Sequence, residues 1–466
     1  MVTPVTDPDV LAGYLSDASN TKGRAEALVR PRSTEEVAEV LAYCTERGIC
    51  VTVSGGRSGT VGGARPDGGW VLSTELLRAT PVIEPDRATA EAGHNLGALQ
   101  DTLLATGRLY PPDPTSRYDC FFGGSIATNA SGARSFRYGA TRRWVEGLTV
   151  VLPDGTVRHI GPEDLAPPHW PVPSWSEPAV KTAAGYAPSA RLLDLFVGQE
   201  GTLGVITVAT VRLLSRPVGP IGLVAFFGDK ERALAAVVAL RTAAHSDPHG
   251  LLSACSLEWL DETSLGFARQ RAVAVPNSAV VALMCEQEVE AECGEDAHLE
   301  AWITALAQLG ADADHTLVAI DDAGREGLRA LRHAIPAGIN EIVTRNGMPK
   351  VGTDLAVPDA ALPELMRRYE QAPGRSVLFG HVGDNHLHLN LLPRSADELA
   401  QARAYYDELA RYAISVGGTV SGEHGIGKLK RSHLAWMVGD ATLASFRALK
   451  NAVDPANILG RGTLME

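Results

Sequence analysis

Between Gly380 and Asn390 the chain reads Gly-His-Val-Gly-Asp-Asn-His-Leu-His-Leu-Asn, and Ser421-Gly422-Glu423-His424-Gly425 follows some way downstream. No other stretch restricts the fold so tightly. From His386 onward the alternation of polar and apolar residues has the period of a half-buried strand. His386, His388 and Asn390 should therefore share a face, and a bend at Gly383-Asp384 can return His381 to it. Three of the thirteen histidines lie in this stretch. Surface histidines on a strand would account for one or two. Three imidazoles with Glu423-His424 nearby are instead the ligand chemistry of zinc or a similar divalent ion, with a position left open for substrate.

A second constraint comes early. A helix opens at Ser33, where Ser33-Thr34-Glu35-Glu36 fits a capping box, carries Val37, Val40, Leu41 and Cys44 on one side, and stops at Gly48. The β-branched run Ile49 to Val53 then enters Ser54-Gly55-Gly56-Arg57-Ser58-Gly59-Thr60-Val61-Gly62-Gly63. A glycine loop after a strand lets backbone N–H groups approach phosphate oxygens, because no side chain intervenes. No Gly-x-Gly-x-x-Gly opens a helix here, so it is not the dinucleotide fingerprint. A second segment of small residues, Cys120 to Gly132, follows the proline-fixed Pro111-Pro112-Asp113-Pro114. Together the two loops suggest a large cofactor lying between them. By contrast, Gly422 to Lys428 imitates a P-loop but is followed by Leu429, which lacks the hydroxyl that would hold magnesium.

Strands are expected at 71–73, 88–91, 145–152, 252–257, 279–285 and 377–379, and helices at 96–106, 230–246, 297–309, 397–416 and 441–452. Residues 162–178, with six prolines, Trp170 and Trp175, read as a surface excursion, and Arg216 to Pro220 as a linker. Beyond the linker, alanine-rich helices alternate with strands, which suits helices on one face of a mixed or antiparallel sheet, an α+β arrangement. The 42 basic and 55 acidic residues leave a formal charge of -13. That argues against nucleic acid as a partner, since binding it requires a basic patch. Cys44, Cys50, Cys120, Cys255, Cys285 and Cys293 include no Cys-x-x-Cys and read as reduced thiols. No signal peptide and no span-length apolar run is evident, so a cytoplasmic protein is expected, with association at a membrane surface left open.

Four blocks in order resemble the FAD-linked oxidases of the vanillyl-alcohol-oxidase (PCMH) superfamily. Within it, the group of D-lactate dehydrogenase, the glycolate oxidase flavoprotein subunit and D-2-hydroxyglutarate dehydrogenase is most similar. The blocks are residues 54–66, residues 111–142, Glu200-Gly201-Thr202-Leu203-Gly204-Val205-Ile206-Thr207, and the two histidine stretches. The resemblance implies a PCMH-type FAD-binding domain over 1–217, with an N-terminal extension over 1–23. An FAD-linked oxidase C-terminal domain over 218–466 would follow, its helices packed on a mostly antiparallel sheet. It also implies non-covalent FAD contacted by Gly55, Gly56, Arg57, Ser58, Gly59, Thr60, Gly62, Pro112, Asp113, Gly123, Gly124, Ser125, Ala127, Thr128, Asn129, Gly132, Tyr138, Gly139, Glu200, Gly201, Gly204 and Ile206.

By the same resemblance, His381, His388 and Glu423 hold one divalent ion, zinc or manganese, and His424 is the catalytic base. Arg332 binds the substrate carboxylate, Asn390 belongs to the active site, and Lys350 is the candidate family lysine, though two residues further from its aspartate than usual. The implied reaction oxidises a small D-2-hydroxy acid to the 2-oxo acid. Electrons leave for an external acceptor such as a quinone, an electron-transfer flavoprotein, a cytochrome or O2, and a homodimer is allowed. Alternatives are a flavoprotein subunit without independent activity, a flavin-dependent synthase, or an aryl-alcohol oxidase. The chain departs from the family pattern in three places. Asn385-His386 replace Gly-Asn, Arg57-Ser58 replace Gly-Thr, and Pro336 stands where hydroxyglutarate enzymes carry a threonine.

Overall fold

The computed structural model describes residues 2–217, 219–271, 273–289 and 294–466, so Cys293 lies outside the described residues. The other five cysteines are free thiols. Strands β1 (Ala27–Val29), β2 (Val51–Ser54) and β3 (Trp70–Ser73) form a parallel sheet in the order β1–β3–β2. The helix Thr34–Arg47 joins β1 to β2 and begins where the capping box placed it: Ser33 Oγ accepts from the Glu36 N–H at 3.3 Å. It buries Val37, Val40, Leu41 and Cys44 and ends on Gly48 at φ 64°, the left-handed turn that glycine adopts most easily.

A second, antiparallel sheet has the order β4–β5–β9–β7–β8. Its strands are β4 (Val82–Ile83), β5 (Arg87–Glu91), β7 (Val145–Val151), β8 (Val157–Ile160) and β9 (Val205–Arg212). A short ribbon pairs β6 (Arg108–Leu109) with β10 (Leu214–Ser215).

From residue 219 onward one eight-stranded sheet dominates. It contains β11 (Gly219–Phe227), β12 (Ser256–Asp261), β13 (Val281–Val289), β14 (Leu317–Ala319), β15 (Val351–Gly352), β16 (Leu355–Ala356), β17 (Ser376–His381) and β18 (His386–Leu391). The order is β14–β11–β13–β12–β17–β18–β15, with β16 also on β18, and every pairing is antiparallel.

Helices cover both faces of this sheet, not one. Along β11, Ile221, Leu223, Ala225 and Phe227 join the core that holds Ala233, Ala236, Val237 and Leu240 of the helix Lys230–Ser246. Val224 and Phe226 join another, with Leu331, Ile335, Ile339 and Ile342 of the helix Asp322–Asn346. A strand with two apolar partners is apolar on both sides, which hides the alternation that marks a one-faced sheet.

That 25-residue helix was not expected, because Pro336 sits inside it. Proline has no N–H to donate four residues back, so the ladder opens at the carbonyl of Arg332. β12 begins four residues later than the expected strand at 252, which leaves Glu258 in mid-strand. Far along the chain, Ile458 and Leu459 pack into the core around Val37, Val51 and Leu72. The Val51 N–H donates to Ile458 O at 2.7 Å, and the Gly460 N–H donates to Val51 O at 3.0 Å.

Candidate active site and metal centre

The hairpin β17–β18 sets His381 opposite His386 and Phe379 opposite His388. Its turn, Val382–Asp384, closes on Asn385 at φ 51°, and this returns His381 to the face of the other two histidines. Unlike the half-buried strand expected, β18 is buried throughout. Leu387, Leu389 and Leu391 enter the main core on one side. The polar side is closed over by the segment carrying Glu423 and by Lys181 from the first half of the chain.

Each ligand candidate is fixed from behind. His388 Nδ1 lies 3.2 Å from the carbonyl of Thr353, which can only accept, so Nδ1 carries the proton and Nε2 offers its lone pair. His381 Nδ1 lies 2.9 Å from Glu258 Oε1. The Nε2 atoms of His381 and His388 then face one oxygen, Glu423 Oε1, at 3.4 and 3.2 Å. The second oxygen, Oε2, accepts from Lys181 Nζ at 2.9 Å and from Ser131 Oγ at 3.3 Å.

Burial works against charge in this cluster, yet the carboxylate of Glu423 stays well below its ordinary pKa because Lys181 and His381 outweigh that burial. Burial would also lower His381, but the Glu423 and Glu258 carboxylates push it up to about 9. Imidazole Nε2 atoms oriented by a carboxylate and a carbonyl, and converging on a carboxylate oxygen, are the outer-shell arrangement that metal-binding histidines require. His386 Nδ1, buried and without a hydrogen-bond partner among the described residues, is a further donor beside them. The residues present therefore fit a divalent ion.

His424 does not turn away from Glu423, as an extended segment would have made it do. Its chain bends, and its ring stacks on His388 with centroids 5.1 Å apart. Its Nε2 lies 3.9 Å from Glu423 Oε1, and a third of its side chain is exposed. Arg332 reaches the centre through Glu258, which accepts from its Nη2 at 3.0 Å while also holding His381. Lys350 Nζ donates to Asn390 Oδ1 at 2.7 Å, two positions past His388 on β18.

The two glycine-containing loops meet. A Cβ on Gly56 would stand 2.1 Å from the Asp119 carbonyl, and Gly55 lies against Phe121 and Gly124. Gly59 and Gly124 face open space, which leaves backbone accessible on both loops. Arg57, Asn129 and Glu200 all sit at positive φ, strained backbone of the kind that gathers at binding sites. Such a cradle suits a flavin and its pyrophosphate. Glu200 ties it to the metal side, accepting from the N–H groups of Ile426 and Gly427 at 2.8 and 2.7 Å.

Other expected flavin contacts also help to hold the loops in shape. Ser125 and Thr128 hydroxyls bond back to the carbonyls of Phe122 and Gly124, and Pro112 O accepts from Gln100. Asp113 accepts from the Arg134 N–H beside Gly132, and Ala127 O accepts from Glu200 N. Arg57 lies over the ring of Tyr14. Gly204 and Ile206 pack inside the second sheet near Val150 and Phe196. Tyr138, just before Gly139, bonds Glu288. Ser58, Thr60, Gly62, Gly123 and Gly201 stay on the two loops or the Glu200 turn.

Four residues that sequence reasoning passed over belong to the site: Glu258, Asp354, Lys181 and Lys430. Asp354 accepts from the N–H of Glu423 and of His424 and from Lys430 Nζ at 2.6 Å, so it shapes the whole turn. Glu258 could have been noticed as a charge inside the apolar run Leu257-Glu258-Trp259-Leu260. Lys181 is the single charge between Ala179 and Ala190.

Residues 25–161 match the family described as FAD binding domain, and residues 222–464 match FAD linked oxidases, C-terminal domain. The chain is 31% identical to the glycolate oxidase subunit GlcD of Bacillus subtilis over 94% of its own length and 88% of that protein. It is 29% identical to a D-lactate dehydrogenase of Anaerostipes hadrus, over 95% and 90% respectively. A D-2-hydroxyglutarate dehydrogenase of Xanthomonas citri pv. viticola is 30% identical, over 94% and 89%. Among solved structures, an alkyldihydroxyacetonephosphate synthase superposes with a TM-score of 0.71 at 17% identity, covering 98% of this chain and 81% of its own; it shares the fold.

Proposed function

The chain belongs to the FAD-linked oxidases, and from that premise we propose that it oxidises a small D-2-hydroxy acid to the 2-oxo acid. Residues 1–217 would carry the flavin, without a covalent link, and residues 218–466 the substrate. The observation that carries the reading is the convergence of two proton-fixed imidazoles on one carboxylate oxygen. It stands beside an accessible fourth histidine and a glycine cradle.

FAD, when bound, supplies the acceptor for two electrons and the Cα hydrogen. A divalent ion held by His381, His388 and Glu423 would supply a Lewis acid that stabilises developing negative charge. His424 is the base. Burial lowers it to about 4 against the pull of Asp354, so at neutral pH its ring is unprotonated and able to take the hydroxyl proton. Arg332 offers a guanidinium to a carboxylate, and Glu258 couples that position to His381. Lys181 remains an ammonium beside Glu423, because that carboxylate outweighs the burial opposing it. Reduced flavin then needs an external acceptor. The likeness to a protein named as an oxidase subunit favours a second reading, in which partner chains complete the activity.

Anaerobic mixing with a panel of D- and L-2-hydroxy acids, following flavin absorbance, tests the proposal. Acid precipitation of the same sample should release yellow cofactor. D-acids should bleach the flavin, and His424→Ala should slow bleaching by roughly 10²–10⁴-fold with metal and FAD retained. Equal rates for both enantiomers, or no bleaching by any of the acids, would end it.

A further inference from the structure

We propose that His386 is a third imidazole ligand, binding through Nδ1, so that the centre is a three-histidine, one-carboxylate site. This rests on the reading above that an ion sits at His381, His388 and Glu423. The side chain of His386 has no exposed surface. Its Nε2 lies 2.7 Å from Asp354 Oδ1. Asp354 is itself committed as an acceptor, receiving Lys430 Nζ, Ser421 Oγ at 2.8 Å and two backbone N–H groups. The proton of His386 therefore sits on Nε2, and Nδ1 presents a lone pair.

That atom is buried and has no hydrogen-bond partner among the described residues. A core histidine held for packing alone would be expected to satisfy both nitrogens. The ring cannot swing away to find a partner. Gly422 lies flat against it, so close that a Cβ there would stand 2.6 Å from Nε2. The three rings have centroids 4.6 to 5.7 Å apart. One ligand-capable atom from each of His381, His386, His388 and Glu423 lies within 4.8 Å of all the others. Two ligands about 2.1 Å from a shared ion are at most about 4.2 Å apart, and less when not opposite one another, so the four side chains must draw together as the ion binds.

The coordination number follows. Four protein ligands saturate a tetrahedral ion and leave no place for a substrate. An octahedral ion keeps two positions, as many as the carboxylate and hydroxyl oxygens of a 2-hydroxy acid can fill. The site should therefore work with an ion that readily takes six ligands, such as Mn²⁺ or Co²⁺, and poorly with zinc.

The test uses full-length protein stripped with chelator and reloaded with Co²⁺ alone. X-ray absorption at the cobalt edge should count three imidazoles. In chelator competition, His386→Asn should weaken Co²⁺ binding more than 100-fold, beyond the 10–100-fold typical of outer-shell partners. Two imidazoles in the wild type overturn the proposal while leaving the metal reading intact, as does an affinity within threefold for His386→Asn. Failure of the wild type to bind Co²⁺ or Mn²⁺ defeats the metal reading itself. Should His386→Asn not fold, the imidazole count on the wild type decides.

Discussion

His386 and His381 face each other across one hairpin and hold protons in opposite ways. Burial, reinforced by the Lys181 ammonium, lowers His386 from 6.5 to about 3, while His381 rises to about 9. In metal-free protein the signs follow directly. Below pH 6.5 the unfolded chain takes a proton at His386 that the native state refuses, so this contribution to stability is lost as pH falls from 6.5 toward 3. His381 contributes fully below pH 6.5, and its contribution is lost as pH rises through 9. Each limb changes by about 1.4 kcal/mol per pH unit. Urea unfolding in chelator should show His386→Asn losing roughly 2 kcal/mol less than wild type between pH 6.5 and 5. Identical slopes would mean that His386 titrates normally. At this scale the gathering of His381, His386 and His388 with Glu423 and His424 was legible because these residue types announce ligand chemistry. The choice of His381, His388 and Glu423 among them came from the family resemblance. Glu258 and Lys181 were not legible, because a lone charge shows its role only once folding supplies a partner more than one hundred positions away.

The hairpin β17–β18 depends on its turn. Asn385 holds the left-handed conformation, donates to Val357 O and Asp359 Oδ1 at 3.0 and 2.8 Å, and accepts from the Arg241 guanidinium. Asn385→Ala loses these bonds and keeps a Cβ in the left-handed region without asparagine's tolerance of it. Asn385→Gly loses the bonds and sheds that strain. We expect losses of about 2–4 kcal/mol for alanine and about 1 kcal/mol less for glycine, read from chemical denaturation. Equal losses below 0.5 kcal/mol, on the order of an ordinary surface substitution, would show that the turn is held otherwise. Elements announced by alternation or caps, such as β18 and the helix after Ser33, were legible in the sequence. The helix Asp322–Asn346 was masked by Pro336, although Leu331, Ile335, Ile339 and Ile342 recur at helical spacing and their burial overrides the proline.

Across the whole molecule, the site draws on both halves of the chain: Lys181 and Ser131 meet Glu423, and Glu200 meets Ile426 and Gly427. Among the described residues no helix is long and apolar enough to cross a membrane. The pairing of Val51 with Leu459 joins the two halves again beside the first glycine loop. Leu459→Ala should cost about 2–5 kcal/mol and lower the denaturant concentration at which FAD is released. Unchanged release would make residues 457–465 a passenger on the sheet. This pairing also has a consequence for synthesis. β2 emerges from the ribosome some four hundred residues before its partner, a delay of roughly 20–80 s at about 5–20 residues per second. Throughout that interval the glycine loop hangs from an incomplete sheet, so cofactor loading should await the end of translation, and chains cut short before Leu459 should leave the ribosome colourless.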